Sequence, residues 1–445
     1  MWFKIVLTLI FVFFYKSQVV FAQPNELGDK LMSLQQQAEL QDSWLKARVE
    51  GLLPEMMKQH NIDMWLIMSR EYNEDPILKT LLPASWMNAR RRTILLFSLH
   101  PTRGFEAFAM AKYDIGEVYK KAWDPEQEPE QLKALSQLIT ELDPKRIGVN
   151  QSIKIALADG LVATDKDLLL AYLPISLHQR LVSAQPLAID WLQTRSQEEI
   201  EQYKHLVALT KAIVNEGLSN VAIRPRKTQI KDLIWWFRER ASSLGLSTWF
   251  QPSVRVQRQR KGVGVSDDPN VIILPGDLLH VDFGLEYLGL HSDIQQHAYV
   301  LKAGESKAPD FITQGLRQAN QLQDMLLGNF KAGRSGNEIL SRTREQALLA
   351  NLRPQIYSHP IGYYGHSAGT VIGLWDAQYG VPGSGDLPLR NNTAYAIELN
   401  VSMFSEQWQK DITFMLEENA IFFRNKIDYM APRQKHILLI KHKQY

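Results

Sequence analysis

The sequence predicts a two-domain chain, in which an α/β domain at residues 23–190 precedes an α+β domain at residues 191–445. The first observation is length, because 445 residues exceed what one hydrophobic core ordinarily organises. The second is a change of pattern: short apolar runs alternate with helical segments in the first part, whereas helices and long strand patterns make up the second. We therefore expect an antiparallel sheet with packed helices in the second domain.

The elements of the first domain are read from its periodicity. Apolar runs typical of strands occur at 63–69, 91–99, 104–111 and 145–150. Segments with helical spacing occur at 43–60 and 129–142. This alternation of helices and strands indicates an α/β domain with its own sheet.

Capping signatures mark the helices of the second domain. Ser196 followed three residues later by Glu199 predicts a helix start, and Ser335 with Glu338 predicts another. Further helices are expected at 228–245 and at about 309–327. Strand patterns follow or separate these helices at 277–284, 297–301, 394–404, 411–423 and 435–441.

Residues 1–22 have the composition of a secretory signal peptide. Lys4 precedes the apolar run "IVLTLIFVFF", and "VFA" offers a cleavage site before Gln23. An uncleaved membrane anchor is the alternative, but the run is too short to span a bilayer and Lys16 follows soon after. The chain has no cysteine, which excludes disulfides and a lipid-modified cysteine anchor. We expect a secreted protein of a bacterial periplasm, without stable membrane insertion after cleavage.

The balance of charge argues against nucleic acid as a partner. After removal of residues 1–22 the chain has 48 basic and 48 acidic residues. Its densest basic cluster, at 255–261, has no interleaved aromatic residue, and such a run is more typical of a solvated loop than of a nucleic-acid groove. Nucleic-acid binding is therefore not expected.

Two aspartates flank a predicted hairpin in "LHVDFGLEYLGLHSD". If the turn is centred between Tyr287 and Leu288, Asp282 lies directly opposite Asp293 on one face of the sheet. Like charges at that distance are unfavourable unless one is protonated or a cation lies between them. The pair therefore predicts a bound cation or a shared proton.

Two further carboxylates lie inside strand patterns. Glu398 is in "AYAIELNV" and Glu417 is in "FMLEEN", where a single acidic residue more often points to solvent. Together with the aspartates they indicate a metal site, since buried carboxylates are rare unless paired or metal-bound. His359 or His366, in a glycine-rich stretch, supplies a nitrogen donor. Four carboxylates with one neutral imidazole match two divalent cations of the Mn²⁺, Zn²⁺, Co²⁺ or Fe²⁺ type.

This ordered set resembles a known family, the metallopeptidases of the methionine aminopeptidase, prolidase and Xaa-Pro aminopeptidase group with the pita-bread fold. The resemblance covers nearly the whole mature chain, with a creatinase-like N-terminal domain at 23–190 and the pita-bread domain at 191–445. Four motifs carry it: the aspartate hairpin at 275–293, "HPIGYYGH" at 359–366, "AIELN" at 396–400 and "LEEN" at 416–419.

The resemblance implies a role for each matching residue. Asp282 would chelate one ion, Asp293 and Glu417 would bridge both ions, and His359 with Glu398 would complete the other. Glu398 would also be the general base for a metal-bridging water, and His366 would donate to the substrate or to the tetrahedral intermediate. Two alternatives stay open: the roles of His359 and His366 are interchangeable at this stage, and Glu418 is an alternative to Glu417.

Several positions depart from the family pattern. The histidine usual before the first aspartate is missing from 262–268, and Gln355 replaces a histidine that some Xaa-Pro enzymes carry. Gln295 replaces a threonine and Met415 replaces an arginine. His280 and His297 are candidates to replace a missing ligand or to support one. The alternative is that each is a strand histidine hydrogen-bonded to solvent.

The resemblance implies a di-metal hydrolase of peptide bonds, of the Xaa-Pro aminopeptidase or prolidase type, that uses a metal-bridging hydroxide. Mn²⁺ is the first choice of metal, with Co²⁺, Zn²⁺ or Fe²⁺ as alternatives. A proline-containing peptide is the expected substrate and a homodimer the expected assembly. Two competing hypotheses are a creatinase-like hydrolase of another small amide and a non-catalytic scaffold.

Overall fold

A computed structural model describes residues 27–28, 31–259 and 265–441 of the chain. The predicted signal peptide at 1–22 lies outside these residues, and so do the last two residues of the basic cluster, 260–261. Within the described ranges, no helix is both long and apolar enough to cross a membrane.

A six-stranded mixed sheet organises the first half of the described chain. Its strands are β1 (Met64–Arg70), β2 (Arg92–His100), β3 (Gly104–Met110), β4 (Lys120–Lys121), β5 (Ile147–Val149) and β6 (Leu181–Ser183). They lie in the order β4-β3-β2-β1-β5-β6, with β1 antiparallel to β2 and parallel to β5. The four strands predicted in this region are thus confirmed, with two short ones added at the edges.

Helices cover both faces of this first sheet. They are α1 (Leu34–Ala47), α2 (Leu53–Gln59), α3 (Pro76–Lys79), α4 (Gln131–Leu142), α5 (Ala163–Tyr172), α6 (Ile175–His178) and α7 (Gln185–Gln193). Alternate residues of β1 enter two separate cores: Trp65 and Ile67 belong to one, and Met64 and Leu66 to the other. Because a strand's side chains alternate between faces, this burial on both sides produces an α/β layer arrangement.

The α-helices described in the second half are α8 (Gln197–Gly217), α9 (Ile230–Ser243), α10 (Asp310–Gly328) and α11 (Gly336–Leu349). Two of these four, α8 and α11, begin where the capping signatures predict. The Ser196 side chain accepts from the Glu199 N–H, and the Glu199 carboxylate accepts from the Ser196 N–H. The same reciprocal pair is formed at the start of α11.

A larger sheet in the second half carries the predicted functional strands. They are β7 (Ser253–Gln257), β8 (Leu278–Phe283), β11 (Ile294–Val300), β12 (Arg353–Ile356), β13 (His359–Ile361), β14 (Thr393–Ser405), β15 (Lys410–Phe423), β16 (Lys426–Tyr429) and β17 (Leu438–Ile440); the short strands β9 (Glu286–Tyr287) and β10 (Leu290–His291) pair separately. The main order is β12-β14-β15-β11-β8-β7. Its neighbouring strands are antiparallel, as the sequence predicts.

The two faces of this sheet have opposite character. On the apolar face, Val281 and Ile294 pack toward the core that includes α8 and α9. On the same face, Leu399 and Leu416 pack toward the core that includes α10 and α11. On each strand, the residues immediately before and after these four therefore face the other side of the sheet. That other face carries the predicted site residues, and the apolar face holds their strands in register.

Helix α1 joins the two halves of the molecule. Trp44 belongs to the core of the second half, whereas the adjacent Leu45 belongs to a core of the first. Just before the helix, the Met32 N–H donates a hydrogen bond to the Tyr287 hydroxyl at 3.1 Å. The division at residue 190 stays a prediction, because packing is continuous across it.

Candidate metal centre

The aspartate hairpin has a different register from the predicted one. Its turn is formed by Leu288 and Gly289, which both have positive φ angles, 56° and 71°. Residues in this conformation suit a two-residue hairpin turn. Asp282 consequently pairs with Gln295, and the prediction that it lies directly opposite Asp293 is wrong. The predicted turn centre was one residue too early in the chain.

The two aspartates are nevertheless in contact, because Asp293 precedes Gln295 by two residues and shares its face. The backbone N–H of Asp293 donates to the Asn419 side-chain oxygen at 3.0 Å. Asn419 is buried and lies two residues after Glu417 on β15. This bond fixes the end of the hairpin against the neighbouring strand.

Two long strands place the glutamates side by side. Glu398 of β14 pairs directly with Glu417 of β15. His359 of β13 pairs with Ala396, two residues before Glu398, so its side chain lies on the same face. Hence four separate segments deliver these side chains to one face of the sheet.

Three of these residues form a compact group. Asp293, His359 and Glu417 each offer one ligand atom, and those atoms lie within 4.8 Å of one another. The Nε2 atom of His359 is 3.7 Å from Glu417 Oε1 and 4.0 Å from Glu398 Oε2. Atoms bound to one ion at about 2.1 Å lie roughly 3 to 3.5 Å apart, so a small side-chain movement suffices for coordination.

The donor atoms of the cluster have no hydrogen-bond partner. These buried atoms are Asp282 Oδ1, Asp293 Oδ1, His359 Nε2 and Glu417 Oε1. A buried polar atom without a partner is costly, and several aimed at one place indicate a missing bound group. Three carboxylate oxygens and an imidazole nitrogen are the donors that Mn²⁺, Fe²⁺, Co²⁺ or Zn²⁺ accept. The residues therefore fit a divalent metal ion.

Burial raises the pKa values of all four carboxyl groups, and the neighbouring carboxylates raise those of Asp293, Glu398 and Glu417 further. Burial, followed by the charges of Asp282 and Glu398, raises the pKa of Asp293 well above its ordinary value. Burial and the neighbouring carboxylates also raise the pKa of Glu398 and of Glu417 well above the usual range, and burial raises that of Asp282 to about 6. Without a cation, the cluster retains protons.

The pKa of His359 shifts in the opposite direction. Burial, followed by the nearby His366, lowers the pKa of His359 to about 4. Its Nδ1 atom lies 3.0 Å from the carbonyl oxygen of Pro360, which suits an N–H donor at that position. The imidazole is therefore neutral near pH 7, with Nε2 free to bind a cation.

Gln295 has its side chain inside the carboxylate cluster. Its Nε2 donates to Glu398 Oε1 at 2.5 Å and to Glu417 Oε2 at 3.0 Å. Its Oε1 lies 2.9 Å from His280 Nε2, which acts as the donor. His280 thus supports Gln295 and does not reach the carboxylates directly.

The candidate donor His297 is fully engaged elsewhere. Its Nδ1 lies 2.9 Å from the Leu279 carbonyl oxygen, and its Nε2 accepts from the Met415 N–H at 3.0 Å. The side chain is fully buried and connects the backbones of β8 and β15. Both ring nitrogens are occupied, so His297 stabilises the sheet and has no free atom for an ion.

The two histidines of the 359–366 motif occupy different environments. Their rings meet edge to face with centroids 4.7 Å apart. His359 is buried, whereas His366 is exposed and contacts Trp249 with centroids 5.3 Å apart. The indole N–H of Trp249 donates to the Ser292 carbonyl oxygen at 2.8 Å. His366 therefore lies at the open edge of the site, beside a fixed aromatic ring.

A buried charge cluster anchors the backbone that leads to His366. Glu199 accepts from Arg48 Nη1 at 2.9 Å and from Arg195 Nη1 at 3.0 Å. The Tyr363 hydroxyl also donates to Glu199, and the Arg195 guanidinium lies 4.1 Å from the Tyr363 ring centroid. Arg48 comes from the first half of the chain, so this cluster ties both halves to the site loop.

Glu418 points away from the site. Its carboxylate is 2.5 Å from Lys211 Nζ of α8 and accepts from the Gln434 N–H at 2.7 Å. The alternation of a strand explains why it and Glu417 face opposite sides. Glu417 is the member of this pair that the structure brings to the cluster.

Sequence reasoning missed a polar group beside Glu398. Asn400 donates to Gln355 Oε1 at 2.7 Å and to the Tyr357 hydroxyl at 3.2 Å. Burial, and then the charge of Glu398, raises the pKa of Tyr357. The sequence did contain a signal for this group, because residues two apart on a strand lie on the same face. Tyr357 precedes His359 by two residues, and Asn400 follows Glu398 by two.

The fold and the donor set together define a candidate metal centre on an antiparallel sheet. The sequence profile of metallopeptidase family M24 matches residues 201–427, about half of the chain and all of the predicted site residues. The chain belongs to metallopeptidase family M24, whose members bind divalent metals. No curated protein sequence shows a significant match to this chain.

Solved structures share this fold at low sequence identity. The X-Pro aminopeptidase from Thermotoga maritima has a TM-score of 0.60 at 16% identity, over 86% of this chain and 99% of that one. The Xaa-Pro dipeptidase from Bacillus anthracis has a TM-score of 0.57 at 15% identity, over 92% and 100%. The N-terminal domain of the FACT complex subunit SPT16 from chickpea has a TM-score of 0.54 at 14%, over 92% and 100%. These likenesses establish the two-part fold.

Proposed function

We propose that this protein is a metal-dependent exopeptidase that hydrolyses the peptide bond before a proline residue. The observation that carries the proposal is the convergence of unpartnered donor atoms from Asp293, His359 and Glu417 on one face of the sheet. Membership of family M24 supports peptide hydrolysis, and the Xaa-Pro peptidases among the similar structures support the preference for proline.

The proposed metal ligands are assigned by position. Asp293, His359, Glu417 and Glu398 would hold one ion. Asp282, Asp293 and Glu417 would hold a second, and Mn²⁺ is the first choice for both. When bound, such ions polarise a carbonyl group and activate water. The pattern of free atoms supports this assignment, since each of these residues except Glu398 has an oxygen or nitrogen without a partner.

Glu398 is proposed as the general base. It is the partly exposed member of the facing glutamate pair, with 18% of its side chain accessible against 1% for Glu417. Burial and the charge of Asp282 raise its pKa, which suits a carboxylate that takes a proton from water and returns it to the leaving nitrogen.

His366 is proposed as a donor to the substrate carbonyl oxygen. Its exposure at the edge of the site allows contact with a peptide, and Trp249 fixes the position of its ring. A single well-placed donor to a developing oxyanion is worth about 10²- to 10³-fold in rate.

A creatinase-like hydrolase of a different small amide is the second candidate. The observation that favours it is the neighbourhood of Glu398, where Gln295, Gln355 and Met415 replace residues of the peptidase pattern. A non-catalytic scaffold requires that the cluster bind no metal, although its donor atoms are free.

Metal content followed by a substrate panel tests the proposal. Purified protein is analysed for bound metal, then assayed with Mn²⁺ or Co²⁺ on Xaa-Pro dipeptides, on tripeptides with proline in second position and on creatine. Hydrolysis of either proline peptide supports the proposal, and their ratio distinguishes a prolidase from an aminopeptidase. Bound metal with turnover of creatine alone supports the second candidate, and absence of metal supports the scaffold.

The proposal includes export to a bacterial periplasm and assembly as a homodimer. The observations that support export are the apolar segment at 1–22 and the absence of cysteine. Mass spectrometry of the periplasmic protein should find Gln23 as the first residue, and light scattering should give twice the mass of the mature chain.

A further inference from the structure

A cavity of about 320 Å³ lies between the two halves of the molecule. Helix α1 and Lys79 of α3 line it from the first half, and the aspartate hairpin with Tyr363 and Tyr364 lines it from the second. Its described lining residues include none of the proposed metal ligands. Such a volume is at the lower end of the range for small-molecule sites, so the cavity suits a ligand of about the size of an amino acid.

His291 presents a hydrogen-bond acceptor in the wall of this cavity. Its Nδ1 lies 3.1 Å from the Gly362 carbonyl oxygen, which can only accept, so Nδ1 carries the N–H. In the neutral ring, Nε2 then has a free lone pair. The same carbonyl oxygen accepts from the His291 backbone N–H at 2.9 Å. Only 9% of the residue is exposed, so the position of the ring is fixed.

Glu286 places a carboxylate beside that lone pair. It is the cross-strand partner of His291 in the hairpin, and its Oε2 lies 3.9 Å from His291 Nε2. This separation exceeds hydrogen-bonding distance, so the two acceptors do not satisfy each other. Two acceptors side by side fit a positively charged group with several N–H donors, such as the ammonium group of a ligand.

Lys79 supplies the opposite charge from the other half of the molecule. Its side chain is exposed and lines the same cavity, and its ammonium group is a suitable partner for a ligand carboxylate. Leu45, Leu82 and Leu288 contribute apolar surface to the lining. The cavity therefore combines a negative group, a positive group and an apolar wall, which together complement a zwitterion with an apolar side chain.

We infer that this cavity binds a free α-amino acid with an apolar side chain, whose ammonium group contacts Glu286 and His291 and whose carboxylate contacts Lys79. The inference goes beyond the proposed function, because it requires neither bound metal nor hydrolysis. Since Asp293 follows His291 by two residues, a bound amino acid would also contact the hairpin that enters the metal centre.

Calorimetric titration of the metal-free protein with L-leucine tests this inference. With EDTA present, we expect one site per chain and a dissociation constant of about 1 mM or lower. Two analogues of leucine dissect the contacts: isoamylamine lacks the carboxylate, and isocaproate lacks the amine. Each analogue should bind about ten-fold more weakly or worse, because each loses one charge-assisted contact.

Variants assign each contact to a side chain. Glu286→Gln should weaken leucine binding about ten-fold and remove the advantage of leucine over isocaproate, whereas Lys79→Met should remove its advantage over isoamylamine. His291→Asn keeps a donor for the Gly362 carbonyl and lacks the Nε2 acceptor, so it should also weaken leucine binding. Glu126→Gln is the matched exposed control and should leave the affinity unchanged.

The outcomes separate this inference from the proposed function. A failure of leucine to bind below about 10 mM would overturn the inference, and so would wild-type affinity in folded Glu286→Gln and Lys79→Met proteins. Leucine binding that requires added Mn²⁺ would place the amino acid at the metal centre and would overturn it too. All three results leave peptide hydrolysis open to its own metal and substrate assays.

Discussion

The hydroxyl of Tyr363 donates a hydrogen bond to Glu199 at 2.8 Å, which connects the loop before His366 to the first turn of α8. Glu199 is completely buried and accepts from Arg48 and Arg195 at the same time. One carboxylate thus serves as the shared counter-charge of two buried guanidinium groups and orders the site loop.

Replacement of this carboxylate should destabilise the whole protein. Glu199→Gln leaves two buried arginines without a counter-charge, and breaking a buried pair in this way costs about 3 to 5 kcal/mol. Urea denaturation followed by circular dichroism measures the change. Glu201→Gln is the control, since Glu201 pairs with Lys204 at an exposed position and should cost less than about 1 kcal/mol. Equal effects of the two substitutions would contradict the prediction.

Adjacent glutamates on β15 should have separable roles. Glu417→Gln removes a donor of the cluster and should abolish tight Mn²⁺ binding while the fold persists. Glu418→Gln removes the partner of Lys211 on the other face, so it should cost about 3 kcal/mol of stability and leave metal binding intact. Calorimetric titration and urea denaturation of both variants give the comparison. If Glu418→Gln abolished Mn²⁺ binding and Glu417→Gln lowered only the stability, Glu418 would be the metal ligand and Glu417 the structural residue.

The two histidines should differ in what they contribute. His359→Ala should lower Mn²⁺ affinity by at least ten-fold, because its free Nε2 lies nearest the glutamate oxygens. His366→Ala should keep Mn²⁺ affinity and lower kcat by about 10²- to 10³-fold. Metal titration and steady-state kinetics on an Xaa-Pro substrate distinguish them. Loss of metal from the His366 variant alone would mean that the two roles are exchanged.

Aspartate substitution should separate metal binding from folding. Asp293→Asn should abolish metal bridging and hydrolysis and retain the native circular dichroism spectrum. Asp268→Asn is a matched exposed control and should leave metal content and rate unchanged. Normal hydrolysis by the Asp293 variant would show that this residue is not a ligand.

Without metal, the carboxylate cluster should make the folded protein less stable as pH rises. Burial raises the pKa of Asp282 to about 6, above its ordinary value of 3.8, so the folded state favours the protonated acid. The stability that depends on this proton is present below about pH 4 and is lost as pH rises through about 6. Asp282→Asn has no such loss, so without metal its stability relative to wild type should increase over that range.

Mn²⁺ should reverse that comparison. At pH 7 with saturating Mn²⁺, wild-type protein gains free energy from the ion that Asp282→Asn cannot fully bind, and wild type should then be the more stable of the two. Thermal unfolding between pH 4 and 8, with and without Mn²⁺, measures both effects. A parallel pH dependence of the two proteins without metal would contradict the proposed electrostatics.

Much of the architecture could be predicted because local signals coincided with tertiary packing. The capping pairs at Ser196 and Ser335 mark helix starts in the structure, and alternation along β14 and β15 placed Glu398 and Glu417 on one face. Such patterns are local, so a single sequence contains them.

The hairpin register and the Gln295 contacts could not be predicted in the same way. Register depends on which turn residues adopt positive φ, and Leu288 is an unusual choice for that conformation. Gln295 was noted as a departure from the family pattern, but its bonds to Glu398 and Glu417 join strands that are distant in sequence. Only the assembled sheet reveals such long-range pairs.

The placement of Trp44 beside Leu45 on α1 has a practical consequence for dissection of the molecule. Recombinant fragments beginning near residue 190 would expose the apolar surface that Trp44 covers and would lose the bond between Met32 and Tyr287 at the aspartate hairpin. Expression of the second half alone should therefore yield an insoluble product, and co-expression with a fragment spanning 23–190 should restore solubility.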